Sequence, residues 1–267
     1  MSTPTDFAFL HGGGQGGWVW NNTIAALRRQ TEGAFGRALA LDVPGCGNKR
    51  DRKTDELLPG DVSRELIADL EHAGMKDVVL VGHSQAGSVM PAMVEIRPKL
   101  FRRLIYVSCS IPLPGQTVLQ MMGTGRHGSN ANEVGWPADF EINKVRQRYP
   151  SMFCNDMDEA GTAAFLSKIG TDAWPMQMYS ATNWHFDNLA SVPATYVICL
   201  RDGILPVAWQ EIFATRLKAT EWIRIDAGHQ VMNTRPHALA EILRLEAMRD
   251  SSDRSASLTE PEQSDSG

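Results

Sequence analysis

The stretch Val78-Val79-Leu80-Val81-Gly82-His83-Ser84-Gln85-Ala86-Gly87 is an unbroken apolar run that ends in a tight turn and then resumes as a helix. A continuous run of this kind is expected of a strand covered on both faces, as in a parallel sheet. The pattern G-x-S-x-G is met by Gly82 and Ser84, with Ala86 at the strict fifth position and Gly87 behind it. That position needs a small residue because strand and helix approach closely around a strained turn. Such a turn exposes the Ser84 hydroxyl and aims a helix N-terminus at it, which favours developing negative charge. A plain strand-to-helix turn with a capping serine is the competing reading.

The rest of the chain repeats the alternation. Apolar strands are expected at Phe7–Leu10, Ala38–Val43, Leu104–Val107, Ala194–Leu200 and Glu221–Ile225. Helices are expected from Asn21 or Asn22 (as a cap) to about Arg29, from Asp61 to Leu70, from Ala86 to about Glu95, from Val207 to Leu217 and from Pro236 to Met248. The fold class is α/β, a mostly parallel sheet with helices on both faces. Right-handed crossovers put all strand C-termini along one edge, where ligands bind.

A serine hydroxyl needs a base. His229, in Asp226-Ala227-Gly228-His229-Gln230, directly follows the last strand and is the candidate. His83 adjoins Ser84 in sequence and is assigned to packing. The base needs a carboxylate to fix its tautomer. Asp202, in Leu200-Arg201-Asp202-Gly203, follows the preceding strand. A turn aspartate is the alternative there, and Asp226 is the competing acid, although it stands very near His229 along the chain. The loop Gly12-Gly13-Gly14-Gln15-Gly16-Gly17 lacks G-K-[ST] and matches a dinucleotide fingerprint only weakly. Its better use is to bring backbone close to a substrate. The N–H of Gly13 would join that of Gln85 in an oxyanion hole, with Gly12 beside the substrate.

These residues together resemble the α/β-hydrolase superfamily, and within it the compact branch of methyl esterases, related bacterial esterases and α-hydroxynitrile lyases. The resemblance is carried by Phe9-Leu10-His11-Gly12 with Gly17-Trp18, by Gly82-His83-Ser84, by Asp202 and by Gly228-His229, in the superfamily order Ser…Asp…His. It implies serine-ester chemistry. The lyases of that branch place a threonine after the first-loop histidine and a lysine after the catalytic histidine, whereas this chain has Gly12 and Gln230.

Residues 110–188 break the alternation and read as an inserted helical cap, leaving 1–109 and 189–248 as the α/β-hydrolase core. The insertion holds six of the twelve methionines and three of the seven tryptophans. Met121, Met122, Trp136, Phe153, Trp174, Met178 and Trp184 are its candidate pocket liners, with packing of the cap itself as the alternative for each. Gly123–Ser129 reads as a lid segment. Residues 249–267 are mainly polar and read as a disordered tail.

Composition excludes other classes. At 43% hydrophobic and 21% charged the chain is too apolar for a disordered protein, and its length supports a core without metal or disulfide staples. A net charge of −5 argues against a nucleic-acid partner. No apolar run reaches the ~18 residues of a membrane span, so no membrane partner is expected. The four cysteines, Cys46, Cys109, Cys154 and Cys199, have no metal-site spacing, and no signal peptide is recognised. A metal-free, cofactor-free cytoplasmic enzyme follows as the expectation, with a homodimer left open. The expected activity is acyl-enzyme hydrolysis of a carboxylic ester or lactone of a bulky apolar or aromatic small molecule. Carbamate or amide hydrolysis, C–C cleavage or lyase chemistry, and a non-catalytic ligand receptor stand as the alternatives.

Overall fold

The computed structural model describes residues 4–31, 35–138 and 141–257. Six strands form one sheet: β1 (Phe7–Leu10), β2 (Ala38–Leu41), β3 (Val78–His83), β4 (Phe101–Val107), β5 (Ala194–Cys199) and β6 (Glu221–Ile225). Their order is β2-β1-β3-β4-β5-β6, and every neighbouring pair is parallel. The expected mostly parallel sheet is therefore parallel throughout its described strands.

Burial along the strands follows from position. The inner strands β1, β3, β4 and β5 are buried at every residue. The edge strand β6 alternates between half-buried and exposed positions up to Ile225, and the other edge, β2, is half-buried at three of its four residues. Ala38–Leu41, expected to be a buried strand, is thus an edge strand with a partner on one side only.

Period-two alternation divides the sheet's side chains between two cores. Ala8, Leu10, Val78, Leu80, Leu104, Tyr106, Tyr196 and Ile198 pack with Val62, Leu66 and Leu70 of α2 (Pro59–His72), Met93 of α3 (Met90–Ile96) and Phe213 of α8 (Val207–Arg216). Phe7, Phe9, Val79, Val81, Ile105, Val107 and Val197 pack with Ile24 and Leu27 of α1 (Asn21–Gln30) and Leu239 and Leu243 of α10 (Pro236–Ser257). Between β4 and β5 lie α4 (Val118–Met122), α5 (Val145–Phe153), α6 (Glu159–Leu166) and α7 (Gln177–Ser180). A one-turn helix, α9 (Val231–Thr234), follows β6.

Four helices differ from the sequence expectation. Trp20, not an asparagine, precedes α1, and no side chain caps that helix. The second helix starts at Pro59, whose missing N–H suits a first position, and Asp61 reaches back from the first turn to the Leu58 N–H at 3.0 Å. The helix after Ser84 is split: a 3-10 segment, Ser84–Ser88, precedes α3. The last helix runs through Ser257, nine residues beyond its expected end and into the stretch expected as tail. Arg249 supports its continuation by bonding Glu246 within the helix and Glu221 on β6. The remainder of that expected tail, 258–267, lies outside the described residues.

One buried charge cluster fastens α10 to the sheet. Arg103 on β4 meets Glu246 at 3.1 Å, and Thr195 on β5 donates to the same carboxylate oxygen at 2.5 Å. Both charged side chains are almost fully buried. Glu246→Ala is expected to lower unfolding free energy by about 3 kcal/mol in urea melts, because Arg103 stays buried without that acceptor. Arg64→Ala, which breaks an exposed and solvent-screened pair with Asp61, should leave the urea midpoint unchanged.

Candidate active site

The turn after β3 carries Ser84 at φ +55°, in the left-handed region. Space around it is tightly rationed. A Cβ on Gly82 would overlap Met90 Sδ and lie 3.0 Å from the Ala86 Cβ, so a small residue is needed at both positions. A Cβ on Gly12 would lie 2.9 Å from the Ser84 Cβ. The loop after β1 thus passes directly over the serine.

Strand ends bring three sequence-distant residues together. His229 Nε2 lies 3.1 Å from Ser84 Oγ, and His229 Nδ1 lies 2.6 Å from Asp202 Oδ2. The carboxylate needs a donor at Nδ1, so Nδ1 carries the proton and Nε2 accepts from the serine hydroxyl. Asp202 is fixed from three further sides. Its Oδ1 accepts the N–H groups of Ile204 at 2.7 Å and Leu205 at 2.9 Å, and its Oδ2 accepts Ser108 Oγ–H at 2.5 Å. The His229 and Asp202 side chains are 1% and 0% exposed. Asp226, the competing acid, points away: it pairs with Arg201 at 2.6 Å and is 75% exposed.

His83 supports this arrangement from behind. Its Nε2–H donates to the His229 carbonyl at 2.9 Å, and the two rings stand 4.5 Å apart. Burial, and then the neighbouring His229, hold the His83 pKa well below 6.5. His11 is held in the same way. Its Nδ1–H donates to the Gly12 carbonyl at 2.8 Å and its Nε2 accepts the Val43 N–H at 3.1 Å, while burial lowers its pKa.

The insertion reaches this edge unevenly. Trp174 Nε1–H donates to the Gly12 carbonyl at 3.1 Å, and the Phe153 ring lies 5.9 Å from that of His229. Met121 and Met178 are buried within the core cluster on the α2/α3 side of the sheet, and Met122 packs against it. Trp136 and Trp184 spend their indole N–H groups on the Gly123 and Gln116 carbonyls. Trp184 lines a separate cleft of about 300 Å³ with Ser88 and Pro91. Phe153 and Trp174 are therefore the two expected liners placed against the Ser84–His229 edge by a recorded contact.

A family model described as "Alpha/beta hydrolase family" matches residues 7–242. The chain belongs to the alpha/beta hydrolase family. It is similar to a carbendazim hydrolyzing esterase of Nocardioides sp. (strain SG-4G), 30% identical over 118 residues. That match spans 44% of this chain and 47%, about half, of that protein's length. It is 26% identical over 264 residues to the esterase PIR7B of Oryza sativa subsp. japonica, covering 91% of this chain and 95% of that one. Among solved structures, a pyrethroid hydrolase from Sphingobium faniae JZ-2 shares its fold, with a TM-score of 0.72 at 19% identity, covering 91% and 96% of the two chains.

Some residues at this alpha/beta hydrolase's site carry no motif in the sequence. Ser108 directly follows β4 at the same sheet edge, and that placement is its only mark in the sequence. Tyr179, from the insertion, comes within 3.5 Å of a Cβ built on Gly13 and bonds Gln85, and burial pushes its phenol up to about 12. The Gln85 side chain covers Gly13 so closely that a Cβ there would overlap its Oε1. All four cysteines are free and buried, and no described helix is long and apolar enough to cross a membrane.

Burial of His11 and His83 sets an acid limit on stability. Their folded pKa values lie below 6.5, so below pH 6.5 the unfolded chain binds protons that the folded one refuses. The stability they leave intact above pH 6.5 is lost as pH falls toward the folded values. Urea midpoints measured from pH 7.5 to 5 should fall with pH, and His11→Asn should make that slope shallower.

Proposed function

We propose that the protein is a serine hydrolase acting on a carboxylic ester or lactone of a bulky apolar or aromatic small molecule, through an acyl-enzyme. The observation that carries this reading is the hydrogen-bonded relay Ser84–His229–Asp202 at the carboxyl edge of the sheet. Similarity to proteins named as esterases supports it.

In this reading Ser84 Oγ attacks the acyl carbon and its proton passes to His229 Nε2. The carbonyl electrons collect on oxygen, which accepts hydrogen bonds from the Gly13 and Gln85 N–H groups. Asp202 stays ionised and stabilises the imidazolium. The bond to the leaving oxygen then breaks, and the Nε2 proton completes the alcohol. Water repeats the sequence: His229 takes its proton, the hydroxide adds to the acyl carbon, and Ser84 leaves as the hydroxyl. Residues 110–188 act as a cap whose Phe153 and Trp174 border the reacting group. The free, buried thiols suit a reducing compartment, and the cytoplasm is the accompanying reading.

A carbamate is the second reading, and Gln85 with Tyr179 favours it. This pair brings donor and acceptor groups beside Gly13, suited to a substrate with an N–H next to the scissile carbonyl.

A serine-directed fluorophosphonate should label the wild type and leave Ser84→Ala unlabelled, with p-nitrophenyl ester turnover lost in step. Asp202→Asn should retain the fold and reduce kcat by roughly 10⁴. A wild type that neither labels nor turns over any ester sinks the hydrolase reading.

A further inference from the structure

The loops bearing Asp202 and His229 are gripped from outside the core by two consecutive residues of the insertion. Asn155 and Asp156 lie in the link between α5 and α6. Asn155 Nδ2 donates to the carbonyl of Arg201, the residue before Asp202, at 2.6 Å. Asp156 Oδ2 accepts the N–H of Gly228, the residue before His229, at 2.9 Å. Neither contact touches the relay itself. Each fixes the backbone one residue upstream of a relay side chain.

The surroundings are built for this grip. The Asp156 side chain is 1% exposed, and the guanidinium groups of Arg201 and Arg235 each come within 3.9 Å of its Oδ2. Arg201 itself spans the two loops. Its backbone N–H donates to the Ala227 carbonyl at 2.9 Å, and its side chain ion-pairs with Asp226 at 2.6 Å. Gly228 faces the two residues so closely that a Cβ there would overlap Asn155 Oδ1 and lie 2.6 Å from Asp156 Oδ1. A larger residue before His229 would therefore push these two side chains out of place. Just upstream, Ser151 O would lie 3.0 Å from a Cβ on Gly203, and the Phe153 ring stands tilted at 5.9 Å from that of His229.

We propose that Asn155 and Asp156 form a positioning clamp by which the insertion holds the Asp202 and His229 loops in register, so that the inserted segment helps to set the relay geometry as well as wall the pocket. The proposal rests on the reading of Ser84, His229 and Asp202 as a catalytic relay. The physical basis is that a small displacement of a general base costs rate out of proportion to its size. A buried N–H such as that of Gly228, once stripped of its acceptor, also favours a loop movement that recovers one.

The test uses the full chain and two kinds of readout. Asp156→Ala is expected to lower kcat for a p-nitrophenyl ester by roughly 10-fold to 100-fold with KM changed less than about twofold. Asp156→Asn keeps an acceptor oxygen and should recover most of that loss. Asn155→Ala, at an exposed residue, serves if Asp156→Ala does not fold, and should lower kcat in the same sense. The second readout needs no turnover: the low-field proton resonance of His229 Nδ1–H, recorded in the Ser84→Ala background. It should be sharp with Asp156 present and shifted or broadened with Asp156→Ala. Unchanged kcat and an unchanged resonance in a folded Asp156→Ala overturn the clamp. So does an equal loss in Asp156→Asn. If the wild type turns over no ester while the resonance still responds to Asp156→Ala, the hydrolase reading fails and the clamp stands.

Discussion

At the end of β3 the backbone passes through Ser84 at φ +55°, a conformation that costs a non-glycine residue about 1 kcal/mol or more. It persists because everything around it leaves no other course. The Met90 side chain fills the space beside Gly82, Ala86 closes the inner side of the turn, and the Gly12 loop presses from above. Relaxing the serine would require moving β3, the 3-10 segment after it and the loop after β1 together. The strain is thereby spread over the centre of a sheet buried on both faces, where movement is most costly. The same turn brings the hydroxyl to the edge where β5 and β6 also end, which is why residues 145 positions apart can share a hydrogen bond.

Behind this edge the buried histidines are separated from the buried carboxylates by how each is satisfied. His11 and His83 are kept unprotonated by burial, and each spends an N–H on a backbone carbonyl. Two carboxylates hold the glycine loop. Asp42 accepts the Gly17 N–H at 2.7 Å, while Asp172, from the insertion, takes the Trp18 indole at 3.3 Å and Arg50 at 2.7 Å. The Gly12 carbonyl receives both His11 and Trp174, which fixes the peptide leading into Gly13. In the proposed reaction that peptide's N–H is an oxyanion donor, and a donor held in place before the charge appears needs no reorganisation.

What the sequence disclosed and what it withheld divide along a physical line. Strands β1, β3, β4 and β5 are legible from their apolar runs, although β4 starts at Phe101, three residues before its expected start, through Arg102 and Arg103, and the strand ends mark where Ser84, Asp202 and His229 meet. The boundaries of the helices are less legible. Pro59 and Leu58 start α2 through a reciprocal contact from Asp61 that favours a start two residues before the acid itself. The extension of α10 depends on Arg249 finding Glu221 on a different strand, a pairing that composition cannot encode. The insertion is least legible. Its methionine and tryptophan content announces an apolar interior, yet it cannot separate Phe153, which meets His229, from Trp184, which lines another cleft.

That difficulty has a single cause. In the core, a residue's role follows from strand order and period, two quantities written locally in the chain. In the insertion, it follows from which loop of the core each short helix or link rests on. Gly170 N–H bonds the Gly14 carbonyl at 2.9 Å, and Ala173 N–H bonds the Gly45 carbonyl at 3.2 Å. Asn155 and Asp156 take the opposite side, at the loops after β5 and β6. The inserted segment is thus fastened to the core on both flanks of Ser84 by backbone and short polar contacts, added to the apolar packing of Met121, Trp174 and Met178 in the core cluster. Such contacts are directional and short-ranged, so they fix position without much buried area. Directional contacts on both flanks of Ser84 thus hold the segment in register with the sheet edge that carries Ser84, Asp202 and His229.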